Sequence, residues 1–255
     1  MEESVQSSTT ASSPDSHSAG LLDRPADALR YDYSSVDPDD VAVKIANFIT
    51  PGARVLDVGC GTGSVSEIIC NRTGAELVGI EPDPERVARA RERGLKVFPG
   101  FLTSDFITAH GPFDYAVFAD VLEHLAEPAE LLTMVKGGLR PGGAVVISVP
   151  NVAHWFVRTD LLRGRFDYQD CGIMDATHLR WFTAKTIREL LERLGFQIVA
   201  MSCTANAGLP DYYRRAPWRW MPVAVRRRVI ARLAKWMPNL FGCQHIIKAV
   251  IAPRI

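Results

Sequence analysis

An acidic residue and three glycines occur together in a spacing that suits a ligand-binding turn. The segment DVGCGTG (57–63) follows a short apolar run and begins with Asp57, ahead of glycines spaced G-x-G-x-G. Glycine lets the backbone turn sharply and approach a ligand closely. Because a carboxylate attracts cations and repels a pyrophosphate, the turn favours a positively charged ligand over a dinucleotide.

A second acid, Glu81, stands at the end of the next apolar run. Open α/β sheets bind ligands where their strands end, and an acid at that place can accept hydrogen bonds from both ribose hydroxyls. S-Adenosylmethionine carries a ribose, an ammonium and a sulfonium. The pair Asp57 and Glu81 therefore predicts S-adenosylmethionine as the cofactor rather than NAD.

Three histidines, His124, His154 and His178, could act as a general base, because imidazole titrates near neutral pH. His124 is the first choice, since Glu123-His124 directly follows the end of a predicted strand. His178 is the second, with Asp175 close enough in sequence to orient it. The alternatives are structural: His124 caps a loop, and Asp175, His178 and Arg180 anchor a lid.

Carboxylate and imidazole groups also occur together at Asp120, Glu123 and His124. Such groups could hold a divalent ion that lowers the pKa of an acceptor hydroxyl. The sequence shows no compact ligand spacing around them, and strand-end acids have other uses. We therefore predict no metal site.

The elements that position these residues alternate between short buried runs and amphipathic helices, as βα units do around a parallel sheet. We predict an α/β fold with a doubly wound, mainly parallel, seven-stranded Rossmann-like sheet and helices on both faces. The predicted strands are 54–58, 76–80, 95–98, 113–118, 144–149, 197–201 and 245–251. The predicted helices are 38–49, 64–71, 84–93, 128–139, 184–194 and 223–236. The first is expected to follow an N-cap at Asp37, with Pro38 at its first position.

Four segments of this pattern resemble class I S-adenosylmethionine-dependent methyltransferases over roughly residues 38–201. They are VLDVGCGTG (55–63), VGIEPDP (78–84), FDYAVFADVLEHL (113–125) and LRPGGAVVISVPN (139–151). The resemblance implies roles for three groups of residues: Asp57, Gly59, Cys60 and Gly61 around the methionine part, Glu81 and Pro82 at the ribose, and Ala119, Asp120, Val121 and Leu122 beyond the methyl group. Family members often carry an Asp for the adenine amine where this chain has Gly100-Phe101, so Phe101 or Leu102 is expected to pack on the ring.

The segment 151–182 resembles that of a narrower group of bacterial methyltransferases from surface-glycan, sugar and natural-product pathways, which borders the methionine-biosynthesis and ubiquinone-pathway types. The resemblance implies an acceptor pocket with a lid, and O-methylation of a sugar or glycan intermediate. We expect two of its aromatic residues to touch the acceptor: these residues are Trp155, Phe156, Phe166, Tyr168 and Trp181. The alternatives are a small aromatic, lipid or macromolecular acceptor, or a cofactor-binding regulatory protein without turnover.

Charge is distributed unevenly along the chain. The net charge is zero, yet the residues after Asp211 include ten Lys/Arg and no Asp/Glu. The segment 204–244 is an insertion, and its part 212–236 mixes arginine with tryptophan. This composition predicts contact with an anionic membrane or a phosphate-bearing acceptor; a solvated helix over the pocket or a homodimer contact is the alternative. A nucleic-acid partner is not favoured, because the rest of the chain is acidic.

Length and composition bound the remaining features. The chain has 255 residues, enough for one domain (21–255) with a substantial core, after a polar and small-residue extension (1–20) that we expect to be disordered. Its five cysteines lack any C-x-x-C spacing, so no zinc site or disulfide framework is predicted. The sequence shows neither a secretory signal nor a long apolar run. We expect a cytoplasmic protein, with peripheral membrane contact left open.

Overall fold

A computed structural model describes residues 37–252 and the separate residues Leu29 and Asp32. The extension predicted to be disordered, 1–20, lies outside the described residues. None of the helices in the described part has the length and apolar composition needed to cross a membrane.

The described residues form one seven-stranded sheet with helices on both faces, which confirms the predicted fold class. The strand order is β3-β2-β1-β4-β5-β7-β6; β7 is antiparallel to both of its neighbours, and all other pairs are parallel. The strands are β1 Arg54–Val58, β2 Glu76–Glu81, β3 Lys96–Pro99, β4 Phe113–Ala119, β5 Leu139–Pro150, β6 Phe196–Thr204 and β7 Gln244–Ile251.

Ten α-helices connect and cover these strands within the described residues. They are α1 Val41–Ala46, α2 Ser64–Thr73, α3 Pro84–Glu92, α4 Ser104–His110, α5 Pro128–Lys136, α6 Trp155–Leu161, α7 Ala184–Arg193, α8 Pro210–Arg214, α9 Val223–Trp236 and α10 Pro238–Phe241. Short 3₁₀ turns lie at Leu122–His124 and Trp218–Trp220.

The sheet is buried on both faces because successive side chains of a strand point to opposite sides. In β5, Val145 and Ile147 belong to a core cluster with residues of α5 and α7, whereas Ala144 and Val146 belong to a second cluster with residues of α1 and α2. The continuous apolar run of β5 follows from this double burial. The two layers fix the strands, and with them the edge where the strands end.

The first helix is shorter than predicted. It begins at Val41, because the Asp40 carboxylate accepts a hydrogen bond from the Ala42 N–H and so caps the helix. Asp37, the predicted cap, instead accepts from the Asp39 N–H in the preceding turn. The prediction of a helix over 38–49 with Pro38 in its first turn was wrong in its boundaries.

Other boundaries differ where glycines and caps decide them. The helix predicted to reach residue 139 ends at Lys136, and β5 begins at Leu139 rather than at Ala144. Gly138 between them packs so closely that a Cβ there would lie 2.6 Å from Ile107 Cγ2. The sequence analysis missed α4, which Thr103 caps through the Phe106 N–H, and the short helices α6, α8 and α10.

Replacing the observed cap tests this boundary. Asp40→Ala should lower the free energy of unfolding by about 1 kcal/mol, because the Ala42 N–H loses its acceptor. Asp37→Ala should cost less, since its bond to Asp39 is exposed. Urea denaturation of both variants measures the difference, and an equal or larger loss for Asp37→Ala would contradict the assignment.

Candidate active site

The residues predicted to bind a cofactor gather where the parallel strands end. Asp57 pairs in register with Gly79 of β2 and with Val117 of β4, so β1 lies between them. After β1 the chain builds β2 and β3 on one side of it and then crosses to β4 on the other. Such a switch in strand order opens a crevice at the carboxyl ends of the strands, the usual ligand site of an open α/β sheet.

The glycine-rich turn adopts a backbone that only glycine accepts easily. Gly59 and Gly61 have φ of +68° and +56°, in the left-handed region. A Cβ on Gly59 would lie 3.0 Å from Val121 Cγ2, whereas a Cβ on Gly61 would meet nothing within 4 Å. Gly59 therefore backs onto the segment after β4, and Gly61 faces open space that a ligand can approach.

Asp57 is fully buried beneath this turn. Its Oδ2 accepts a hydrogen bond from Ser66 Oγ, and its Oδ1 has no partner among the described residues. Burial raises the pKa of the Asp57 carboxyl to about 7, and the Glu81 charge adds to the shift. A buried, half-satisfied carboxylate fits a cationic ligand group that would complete its interactions.

Glu81 ends β2 and faces the same turn. Its Oε2 accepts from the Gly61 N–H at 2.9 Å, and its Oε1 accepts from the Asp83 N–H at 3.0 Å. Each carboxylate oxygen can accept more than one hydrogen bond, so both keep capacity for ribose hydroxyls. The following residue, Pro82, is exposed. The Cys60 side chain points away from the opening, since its Sγ would lie 2.8 Å from a Cβ at Gly79.

The two residues predicted for the adenine ring differ in environment. Leu102 is buried within the core cluster of α5 and α7, so its side chain packs in the core and is not available to an adenine ring. Phe101 has 79% of its surface exposed just after β3. Of these two residues, Phe101 is the one whose side chain is exposed and could pack on an adenine ring.

Asp120, after β4, is held in a conformation that is rare for a residue with a side chain. Its φ is +55°, and its carboxylate accepts hydrogen bonds from Ser148 Oγ and Gln244 Nε2, both at 2.7 Å. Burial raises the pKa of Asp120 to about 6. The sequence analysis missed Ser148 and Gln244 because they come from β5 and β7, and no local spacing links them to Asp120. The neighbouring Ala119 is the last residue of β4.

A second group lies beyond Asp120, where the lid segment 151–182 returns to the sheet. Ligand atoms of Glu123, His124 and His178 lie within 4.8 Å of one another, and the two imidazole ring centroids are 4.9 Å apart. The structure thus brings together two of the three predicted histidines. It adds Glu123 to them.

Both histidines use Nδ1 against a backbone carbonyl. His124 Nδ1 lies 3.3 Å from the Thr177 oxygen, and His178 Nδ1 lies 3.2 Å from the Ile173 oxygen. A carbonyl only accepts hydrogen bonds, so these contacts place the hydrogen on Nδ1 and the lone pair on Nε2. The Thr177 hydroxyl, 3.2 Å from His124 Nδ1, also donates to Asp175 Oδ1 at 2.7 Å. Asp175 therefore supports His124 through Thr177.

Glu123 is the least satisfied residue of this group. It is 1% exposed, and neither carboxylate oxygen has a hydrogen-bond partner among the described residues. Burial and the nearby Asp120 charge raise its pKa well above the usual value for a glutamate. One carboxylate and two imidazoles at these distances are a donor set that suits a divalent cation, which would supply Lewis-acid activation of an acceptor oxygen. The sequence showed no compact spacing because His178 comes from the lid.

The lid is tied to the same place through its backbone. The N–H groups of Leu179 and Arg180 donate to the Glu123 carbonyl, and the Arg180 guanidinium donates to the Ala126 carbonyl. In front of this anchor the rings of Phe166, Tyr168 and Trp181 form a cluster with centroid distances of 5.5 to 6.2 Å.

His154 lies in a different cluster. It is fully buried, its Nε2 is 3.3 Å from the Tyr212 hydroxyl, and its ring packs against Phe156 and Trp155. Burial lowers the pKa of His154 to about 3, so it stays neutral near neutral pH. These contacts indicate a packing role beneath the insertion 204–244.

Comparison with known protein families gives a match over most of the chain. A family model described as a methyltransferase domain matches residues 28–201 of the chain. The chain belongs to this methyltransferase domain family. The predicted resemblance is thereby confirmed at the level of the family.

Individual relatives match shorter segments. The ubiquinone biosynthesis O-methyltransferase of Cereibacter sphaeroides is 35% identical over 105 residues, which are 39% of this chain and 42% of that protein. The protein of the same description from Xanthomonas campestris is 36% identical over 119 residues, 44% of this chain and 48% of that protein. The chain thus spans less than half the length of either relative.

Solved structures share the fold at low identity. A SAM dependent methyltransferase from Archaeoglobus fulgidus has a TM-score of 0.57 at 22% identity, covering 82% of this chain and 92% of that chain. The [4+2]-cyclase SpnF has a TM-score of 0.52 at 21% identity, covering 85% of this chain and 82% of that chain. These likenesses show the fold, and the range of their descriptions shows that the fold alone does not determine the reaction.

The buried Asp57 predicts a pH dependence of stability. Its carboxyl has a pKa of about 7 in the fold against 3.8 unfolded, so its protonated form favours the native state. This stabilising contribution is full below the unfolded pKa and is lost as pH rises through the folded pKa. The free energy of unfolding of the ligand-free protein should therefore fall between about pH 4 and about pH 7.

Asp57→Asn, which keeps the shape without the titration, should reduce this fall, as measured by urea denaturation across the range. The raised pKa values of Asp120 and Glu123 leave a residual slope of the same sign. An unchanged slope in the variant would show that Asp57 does not titrate in this window.

Proposed function

We propose that the chain is an S-adenosylmethionine-dependent methyltransferase that acts on an acceptor hydroxyl, with a sugar or glycan intermediate as the preferred acceptor. The observation that carries the proposal is the pair of buried carboxylates, Asp57 and Glu81, at neighbouring strand ends on either side of the open Gly61. A ligand with a cationic amino-acid part and a ribose satisfies both. The membership in the methyltransferase domain family supports the same reading.

The reaction requires few groups from the protein. The acceptor oxygen attacks the methyl carbon, the carbon–sulfur bond breaks, and the hydroxyl proton passes to a base, leaving S-adenosylhomocysteine. Holding the two reactants in line supplies much of the rate. His124 is our choice of base because its Nδ1 hydrogen is directed at the Thr177 carbonyl, which makes Nε2 the ring nitrogen that can accept a proton.

His178 has the same arrangement against Ile173 and is the second choice of base. If Glu123, His124 and His178 instead hold a divalent ion, the ion would lower the pKa of the acceptor hydroxyl, and neither imidazole would act as the base. The position of this group beside Asp120 supports either role at the acceptor side of the crevice.

Two observations bear on the acceptor. The relatives from Cereibacter and Xanthomonas are described as O-methyltransferases, which supports a hydroxyl as the methylated group. The cluster of Phe166, Tyr168 and Trp181 offers aromatic faces of the kind that stack on sugar rings, and Phe166 is 41% exposed. A small aromatic or lipid acceptor would use the same rings, and a cofactor-binding protein without turnover would retain the cofactor site alone.

Calorimetric titration tests the cofactor site. The protein should bind S-adenosylmethionine and S-adenosylhomocysteine but not NAD. Asp57→Asn should weaken binding of S-adenosylmethionine by at least about 30-fold, the loss of one charge-assisted interaction. Asp114→Asn, which removes a β4 carboxylate that pairs with Arg140, serves as the matched control and should bind normally. Binding of NAD alone would overturn the proposal.

Turnover of a labelled methyl donor with hydroxylated sugars and lipid-linked glycans tests the base. His124→Ala should reduce turnover by about 100-fold or more while S-adenosylmethionine binding stays within about threefold. His110→Ala, a change on α4 outside the site, is the control. A rate for His124→Ala close to that of the parent would remove His124 from the role, and parent activity lost on chelation and restored by a divalent ion would assign the group to a metal.

A further inference from the structure

The insertion 204–244 carries a cationic surface without opposing charge. Arg227, Arg228, Arg232 and Lys235 of α9 are exposed, and none of the four forms an ion pair with a described residue. Two other arginines of the insertion, Arg215 and Arg226, make contacts within the protein. Arg215 pairs with Asp160 and Asp211, and Arg226 is buried, with Nη1 donating to the Tyr212 carbonyl. We call the exposed surface of α9 and its flanking turns the α9 surface.

The helix separates an inner from an outer face. Ile230 and Ala234 are buried at a spacing of four residues, as a helical face requires. Val225, Arg232 and Trp236 follow one another at spacings of seven and four and share an outer face with Arg228 and Lys235. Arg227 is exposed at the flank of the helix, next to the buried Ala234. The outer face is therefore both basic and apolar.

Large apolar side chains are exposed at both ends of α9. Trp220 is 69% exposed just before the helix, and Trp236 is 85% exposed at its last residue. The exposed apolar set is completed by Val223, Val225 and Met237. Water does not favour such exposure, whereas the boundary between lipid headgroups and acyl chains accepts tryptophan and aliphatic groups together with arginine and lysine.

We propose that the α9 surface docks on an anionic lipid bilayer, with α9 lying along the membrane plane. Arg228, Arg232 and Lys235 face the lipid phosphates, with Arg227 at the flank of the helix, and the tryptophans and aliphatic residues enter the headgroup region. A second copy of the chain fits less well, because a symmetric contact would bring these cations against one another. A nucleic acid would use the charges and the tryptophans but would leave Val223, Val225 and Met237 in water.

The α9 surface is fixed to the lid. Arg215, just after α8, donates to Asp160 and Thr159 of α6, and Trp218 packs its ring 6.1 Å from that of Trp155. A membrane held against α9 would therefore also hold the lid helix in a defined orientation. On the proposed function, the acceptor is then an amphiphile presented at the bilayer surface, such as a lipid-linked sugar.

Vesicle co-sedimentation of the full chain tests the docking without reference to catalysis. The protein should bind phosphatidylcholine vesicles that contain about 30% phosphatidylglycerol at least about 10-fold more strongly than pure phosphatidylcholine vesicles. The variant R227Q/R228Q/R232Q/K235Q should lose at least about 10-fold of this binding. Trp220→Ala combined with Trp236→Ala should lose a similar amount, since both rings are exposed and leave the fold intact.

The matched control R72Q/K185Q/R188Q/R193Q removes four exposed cations from α2 and α7 and should bind vesicles as the parent does. The proposal would be overturned if the parent protein failed to bind anionic vesicles, or if the α9 charge variant bound them as strongly as the parent does. So would a charge effect without any effect of the tryptophans, or tighter binding of single-stranded RNA than of vesicles. Each variant is also titrated with S-adenosylmethionine: vesicle binding without cofactor binding would reject the proposed function and leave the docking in place.

Discussion

The burial of several carboxylates at one edge of the sheet is the interaction on which the site depends. Asp57, Glu81 and Glu123 are buried and Asp120 is half-buried near the ends of β1, β2 and β4. Desolvation disfavours their charged forms. Repulsion between neighbouring carboxylates adds to this effect, since Glu81 raises the pKa of Asp57 and Asp120 raises that of Glu123. Hydrogen bonds from Ser66, the Gly61 N–H, Ser148 and Gln244 offset part of this cost at Asp57, Glu81 and Asp120, whereas Glu123 has no such partner among the described residues. The carboxylate oxygens that lack a hydrogen bond, on Asp57 and Glu123, would be stabilised by a proton or by a bound cation.

This arrangement divides the edge into two chemically different halves. Around Gly61, open space adjoins the carboxylates of Asp57 and Glu81, which can accept further hydrogen bonds. This arrangement suits a bound cationic ligand. Around Glu123 the carboxylate instead faces two imidazoles whose protons are assigned to backbone carbonyls. Asp120 stands between the halves, and its left-handed backbone is held by partners from two strands. A residue strained and fixed in this way keeps the two halves in a constant relation.

Much of this could be predicted from the sequence where the determinants are local. Strand periodicity, the glycine spacing and the acids at strand ends are properties of short windows, and all seven strands were found near their predicted places. The failures have equally physical reasons. The choice between Asp37 and Asp40 as the helix cap depends on one hydrogen bond, and α4 has only one buried side chain, Ile107, to mark it. The joining of His178 to Glu123, and of Gln244 to Asp120, depends on how distant elements dock, which no local spacing records.

The lid segment 151–182 and the insertion 204–244 interrupt the alternation of strands and helices. Both lie where a change in sequence or length leaves the parallel sheet intact. The lid follows β5 and is fixed by backbone hydrogen bonds to Glu123, which do not depend on the identity of the lid side chains. The insertion connects β6 and β7, an antiparallel pair, and antiparallel strands accept a connection of any length without a crossover. The insertion also builds its own small core around Tyr212, Trp218 and Ile230. Because His154 and Arg215 link that core to the lid, a contact made by α9 can affect the acceptor side while the cofactor side stays unchanged.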